Sequence, residues 1–163
     1  MATLDLAVDG VGATDDFTLV AGASKTAAVA VPDDDDTSYI LGVVVAQDLT
    51  FATSALLTGA SISNVRVVLR VKGSVGDPEP FFQLVSGTPS AEQILAVGLS
   101  WAAINVDFPL APDGSAWTKA AIDAAYIHLN AGGGTLAATT VYLTVTYTLG
   151  SSGVYRLPIL GIG

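Results

Sequence analysis

The stretch VRVVLRVK, Val65 to Lys72, decides the fold class. Val65, Val67, Leu69 and Val71 fall on one side of a period of two, and Arg66, Val68, Arg70 and Lys72 on the other. Such alternation, rich in β-branched residues, marks a strand with one face on a core and the other toward solvent. The run TTVYLTVTYTL, Thr139 to Leu149, repeats the pattern: Val141, Leu143, Val145, Tyr147 and Leu149 face one way, and Tyr142, Thr144, Thr146 and Thr148 the other.

Moving outward, shorter strands are expected at Thr3–Val8, Phe17–Val20, Thr26–Val31, Ser38–Val45, Phe81–Ser86 and Ile104–Leu110. Between them lie the turn signals DGVG, VAGAS, GDPEP, SGTP, APDG, AGGG and GSSG, rich in the residues that supply unusual backbone angles or stop a strand. About eight to ten short strands so punctuated predict an all-β protein, an antiparallel jelly roll or β-sandwich. One short helix is expected in DGSAWTKAAIDAAYI, capped by Asp113 or Ser115 and containing Trp117, Ala121, Ala124 and Ala125. The capping-box spacing of Ser90 and Gln93 in SAEQILA suggests a second.

The 163 residues predict a single β domain, 1–163, large enough to bury about 70% of the surface of its unfolded chain, with extended arms at 1–20 and 150–163. There is no cysteine, which removes disulfides and thiolate metal ligands. Charged residues make up 13% of the chain, against about 25% in an ordinary domain. A surface so poor in charge is expected to be covered in part by neighbours. No apolar run approaches the roughly 20 residues that span a bilayer as a helix, so no membrane partner is expected. MATLDLAVDG lacks the basic and apolar regions of a secretory signal, and cytosolic synthesis is the simpler expectation. A net charge of -9 repels phosphate backbones, and Arg66, Arg70 and Lys72 read as a solvated strand face; no nucleic-acid partner is expected.

Little in the chain points to catalysis. His128 has no cysteine to activate and no G-x-S-x-G elbow to work with. One histidine and no cysteine is a poor ligand set for zinc. Asp33, Asp34, Asp35 and Asp36 offer the oxygen ligands calcium prefers, but consecutive residues on an extended chain point in opposite directions, so a solvated acidic turn is the expectation. Asp107, Asp113 and Trp101 have no spacing that suggests a carboxylate pair across a cleft. NAGGGT lacks the lysine and hydroxyl of a phosphate loop. No catalytic residue, resident metal or cofactor is therefore expected. Trp101 and Trp117 are either packing residues or, if exposed, stacking platforms for a sugar.

Four stretches together, PDDDDTSYI, ISNVRVVLRVKG, PDGSAWTKAAID and VYLTVTYT, resemble a family of β-rich structural proteins of tailed-phage virions. In that pattern an acidic turn leads into a strand, and a G-x-x-W-T turn introduces a short helix before the last strand. The resemblance spans Val31 to Leu149, with one more aspartate than the pattern has. It implies a jelly-roll subunit without enzymatic activity, of the head decoration or cement type. The implied partners are the major capsid protein and other copies of the chain, as a trimer. The implied place is the capsid surface, after synthesis in the host cytoplasm. On this reading Asp33 to Asp36 form a solvated loop, with Tyr39 and Ile40 already turned to the core. The apolar tail GSSGVYRLPILGIG either docks on a neighbouring subunit through Tyr155, Leu157, Ile159, Leu160 and Ile162 or forms an ordinary last strand. A carbohydrate-binding jelly roll of a tail fibre or particle surface is the alternative function.

Overall fold

The Val65–Lys72 alternation forms the centre of β5, Ala60–Ser74, in a computed structural model that describes residues 1–29, 37–53 and 59–150. The face assignment holds: Val65, Val67, Leu69 and Val71 are fully buried, while Arg66 is exposed and Val68, Arg70 and Lys72 are half-buried. β5 lies between β9, Ala102–Phe108, and β11, Thr135–Leu149. On its other edge β11 pairs first with β3, Tyr39–Val43, and then with the first half of β1, Ala2–Asp15. β2, Thr18–Val20, extends this first sheet beyond β3.

The second half of β1 leaves that sheet and pairs with β4, Ala46–Phe51. β4 is followed by β10, Ala125–Asn130, and β6, Phe81–Ser86, with the short β7, Thr88–Pro89, and β8, Gln93–Ile94, on β6. Every pairing is antiparallel. Leu49, Phe82, Leu84, Ile127 and Leu129 of this second sheet face the valines of the first, and Phe82 meets Phe108 edge-on across the interior at 6.5 Å between ring centres. The protein is an all-β antiparallel sandwich whose two layers share β1. Each large apolar side chain sealed between them contributes about 1.5–3 kcal/mol.

DGVG, expected as a turn, is the corner of a continuous β1, where the pairing register shifts between Val8 and Gly10. The strand approaches β4 so closely there that a Cβ on Gly12 would stand 2.6 Å from that of Asp48. Residues 2–15 and 18–20 are thus built into the sheets.

There are two short helices among the described residues where one was expected in the fold class. Thr26–Val31 was expected as a strand, but α1, Lys25–Val29, forms because the Ser24 hydroxyl accepts from the Ala27 amide at 3.0 Å, satisfying a donor at the start of an alanine-rich turn. α2, Lys119–Asp123, appears in the expected segment, capped by Thr118 instead of Asp113 or Ser115. Asp113 instead accepts from the Ser115 amide within a turn, at 2.9 Å. The helix ends before Ala125, which opens β10. No helix forms at Ser90, whose hydroxyl and amide are both spent on Leu84 of β6, leaving Gln93–Ile94 to pair as β8.

Asp33, Asp34, Asp35 and Asp36, and the tail residues Tyr155, Leu157, Ile159, Leu160 and Ile162, lie outside the described residues.

Candidate functional site

The register of the first sheet draws a row of side chains across its outer face. Lys72 stands opposite Ala137 of β11, and Ala137 stands opposite Leu41 of β3. Two residues back from Leu41, and so on the same face, is Tyr39. On the other side of β5, Val71 pairs with Ala102, so Trp101 enters β9 beside Lys72. Tyr39 and Trp101 meet edge to face, ring centres 5.7 Å apart at 72°. The Lys72 ammonium lies 4.4 Å from the centre of the Trp101 ring and 5.1 Å from that of Tyr39. Two aromatic rings sharing one cation hold it in place through their quadrupoles, an attraction of about 0.5–1 kcal/mol each where solvent reaches.

Tyr39, Lys72, Leu41, Thr135 and Leu99 line a groove of about 280 Å³ at this place, with Trp101 behind two of its walls. Tyr39, Leu41, Trp101 and Lys72 are half-buried, while Leu99 is 89% exposed. The expectation that Tyr39 and Ile40 both face the core is corrected: Ile40 is fully buried, and its neighbour on an extended strand must point the other way. Lys72 is more than a solvated charge, because the register puts aromatic rings on both sides of it.

Beyond Leu99 the same end of the sheet carries exposed apolar side chains. Val43 pairs with Thr135, the Val44 amide donates to Gly134, and Val75 follows Ser74, the other partner of Thr135. The Gly73 amide donates to Gly98, which brings in Leu99. Val43, Val44 and Val75 are between 56% and 62% exposed. Val44 also has φ +55°, a left-handed backbone that a β-branched residue rarely adopts.

The remaining sequence candidates separate. Trp117 is buried, and its indole N–H donates to the Phe108 carbonyl at 2.8 Å, so it is a packing residue and not a platform. Asp107 is gripped by Arg66 through two bonds of 2.8 and 2.9 Å, and by Asn64. Bonding to Arg66 first and Asn64 second holds its carboxyl below the usual range, and Asp107 in turn raises Arg66. The Ser115 bonds likewise lower Asp113. Neither aspartate borders the groove.

On the outer face of the second sheet, His128 Nδ1 lies 2.7 Å from Asp48 Oδ1. An ionised carboxylate only accepts, so Nδ1 carries the proton. The other Asp48 oxygen accepts from the Thr14 amide at 3.0 Å, and the Phe81 ring lies 6.3 Å from the imidazole. The pair has the orienting half of a catalytic dyad, while no serine, threonine or cysteine among the described residues bonds the imidazole. Its visible effect is to tie β1, β4 and β10 together. Sequence reasoning had no means of finding Asp48, which is 80 positions from its partner. Among the described residues no group of three or more His, Asp or Glu could hold a metal, and no helix is long and apolar enough to cross a membrane.

No family model matches the chain, and no curated protein does. Among solved structures it is similar to one described as "BiXyn10A CBM1 APO", at 12% identity over 91% of each chain, with a TM-score of 0.36. A similarity at that score bears on neither ligand nor function.

Proposed function

We propose that the chain is a non-enzymatic structural subunit of a tailed-phage particle, of the decoration or cement type, that assembles as a homo-oligomer, in the first instance a trimer, on the major capsid protein. The reading starts from the four-stretch resemblance. The observation that supports it is the exposed apolar end of the first sheet, Val43, Val44, Val75 and Leu99, in a chain with only 13% charged residues. Apolar side chains gathered at one end, with a β-branched residue in a strained backbone among them, suit a surface that is covered in use. Its place would be the capsid surface, after synthesis in the host cytoplasm.

The test is the mass of the purified protein by light scattering, with calcium and with chelator, followed by binding to undecorated capsids. A trimer in both solutions that binds capsids is expected, with binding weakened by Val43→Lys and by ending the chain at Leu149. A monomer that ignores capsids would overturn the reading. Hydrolase activity lost in His128→Ala would overturn its non-enzymatic part.

A second reading, a carbohydrate-binding module on a fibre or particle surface, is favoured by the Tyr39, Trp101 and Lys72 groove. An aromatic ring lining a groove on a rigid sheet, here Tyr39 with Trp101 packed against it, is the feature a pyranose ring stacks on. Glycan binding that survives Trp101→Ala would count against it.

A further inference from the structure

We infer that the groove beside Trp101 takes a sugar ring bearing a carboxylate, a uronate or a sialic-type residue. The inference rests on the carbohydrate reading and adds the charge of the ligand. Three of the six Lys and Arg residues, Arg66, Arg70 and Lys72, lie on the outer face of β5. Arg66 is neutralised by Asp107. Lys72 differs: its ammonium is held by the rings of Tyr39 and Trp101, and among the described residues it forms no ion pair. A ring quadrupole positions a cation without neutralising it. In a chain of net charge -9, an ammonium fixed at a groove with no ion-pair partner among the described residues is a local anion site within a repelling field.

The groove's other properties point to a sugar rather than another carboxylate. About 280 Å³ suits a ring or two and falls short of the larger pockets that hold drug-sized ligands. Leu41 and Ala137 supply an apolar floor, and Tyr39 and Thr135 add hydroxyls, the mixture that a pyranose with one C–H face and a polar rim requires. Strand addition within the row is closed, because β3 is paired to β11, β11 to β5 and β5 to β9, so a peptide could add only at the outer edge of β9, outside the groove. Among the described residues, Asp107 on this face is opposite Arg66, six residues and so about 20 Å along β5 from Lys72. It does not oppose the bound anion at close range.

The experiment is calorimetric titration of the full chain with oligogalacturonate and with its methyl ester, and with sialyllactose and with its methyl ester. Each pair matches the sugar and changes the charge. The acidic member of at least one pair is expected to bind about tenfold more tightly, the effect of one partly desolvated ion pair. Lys72→Met, which keeps the apolar stem, is expected to abolish that preference, and Trp101→Ala to abolish binding, both with unchanged thermal unfolding. Equal affinity for charged and neutral members, still lost in Trp101→Ala, would overturn the inference and leave the carbohydrate reading standing. No binding of any of the four sugars at millimolar concentration would overturn both. Acidic binding that survives both substitutions would place the site elsewhere and overturn the inference.

Discussion

Asp107 and Val44 show what single residues contribute. Asp107 is exposed, so its pair with Arg66 is a screened surface interaction of modest worth. Its carboxyl is lowered in the folded chain by Arg66 and then Asn64, so the folded state binds a proton less readily than the unfolded one. Stability from the pair is fully present above the unfolded value, about 3.9, and is lost as pH falls through the folded value. Urea unfolding from pH 6 to 3 is expected to show a steeper loss in the native chain than in Asp107→Asn, and equal slopes would remove the pair from the account. Val44 carries a left-handed backbone with no interior packing to offset it. Val44→Gly is expected to raise stability by up to about 1 kcal/mol in denaturant unfolding, while weakening any assembly through the apolar end. These two sites differ in legibility. The exposed face of β5 could be seen in the alternation around Arg66, but nothing local to VVVA announces a positive φ at Val44.

At the scale of elements, periodicity was visible wherever one face of a strand is buried and the other wet. β5 and the central part of β11 meet that condition, and their inward residues are the expected ones. β4 does not: Gln47 and Asp48 are buried beside Leu49, because β1 folds over the strand, and the Gln47 side chain serves the Phe17 amide and the Thr14 carbonyl. AQDLTF was not among the expected strands, because its polar pair breaks the alternation. α1 was hidden by the opposite fault, since TAAVAV alternates like a strand until the Ser24 cap is recognised. β3 shows how tightly such elements are fitted. Gly42 lies under the Phe17 ring, and a Cβ there would come within 2.5 Å of ring carbons. Gly42→Ala is expected to cost about 1–3 kcal/mol by overpacking, read as a lower urea midpoint with the slope unchanged. A neutral effect would mean that Phe17 moves freely, against its 1% exposure.

For the whole molecule, a surface with so few charges is the property to be explained. Two features share the outer side of one sheet, an apolar end and an aromatic groove with a fixed cation, and Leu99 belongs to both. Assembly through the apolar end is expected to persist when salt is raised from 0.05 to about 0.5 M, because apolar burial is not screened, while acidic-sugar binding at Lys72 weakens. Light scattering and titration in the same two buffers would separate the features; a mass that falls as salt rises would count against apolar assembly. By itself the sequence determined the all-β class, the inward and outward faces of β5 and of the central part of β11, the α2 segment and the absence of thiol chemistry, since each depends on residue type and spacing within one short stretch. Only the tertiary structure decided the rest: that β1 turns a corner between layers, that Asp48 meets His128, and that Tyr39 and Lys72 line one groove with Trp101 packed against both, while Trp117 is sealed away. Those relations come from the strand register across both sheets, which brings together residues tens of positions apart, and no local pattern encodes which strands become neighbours.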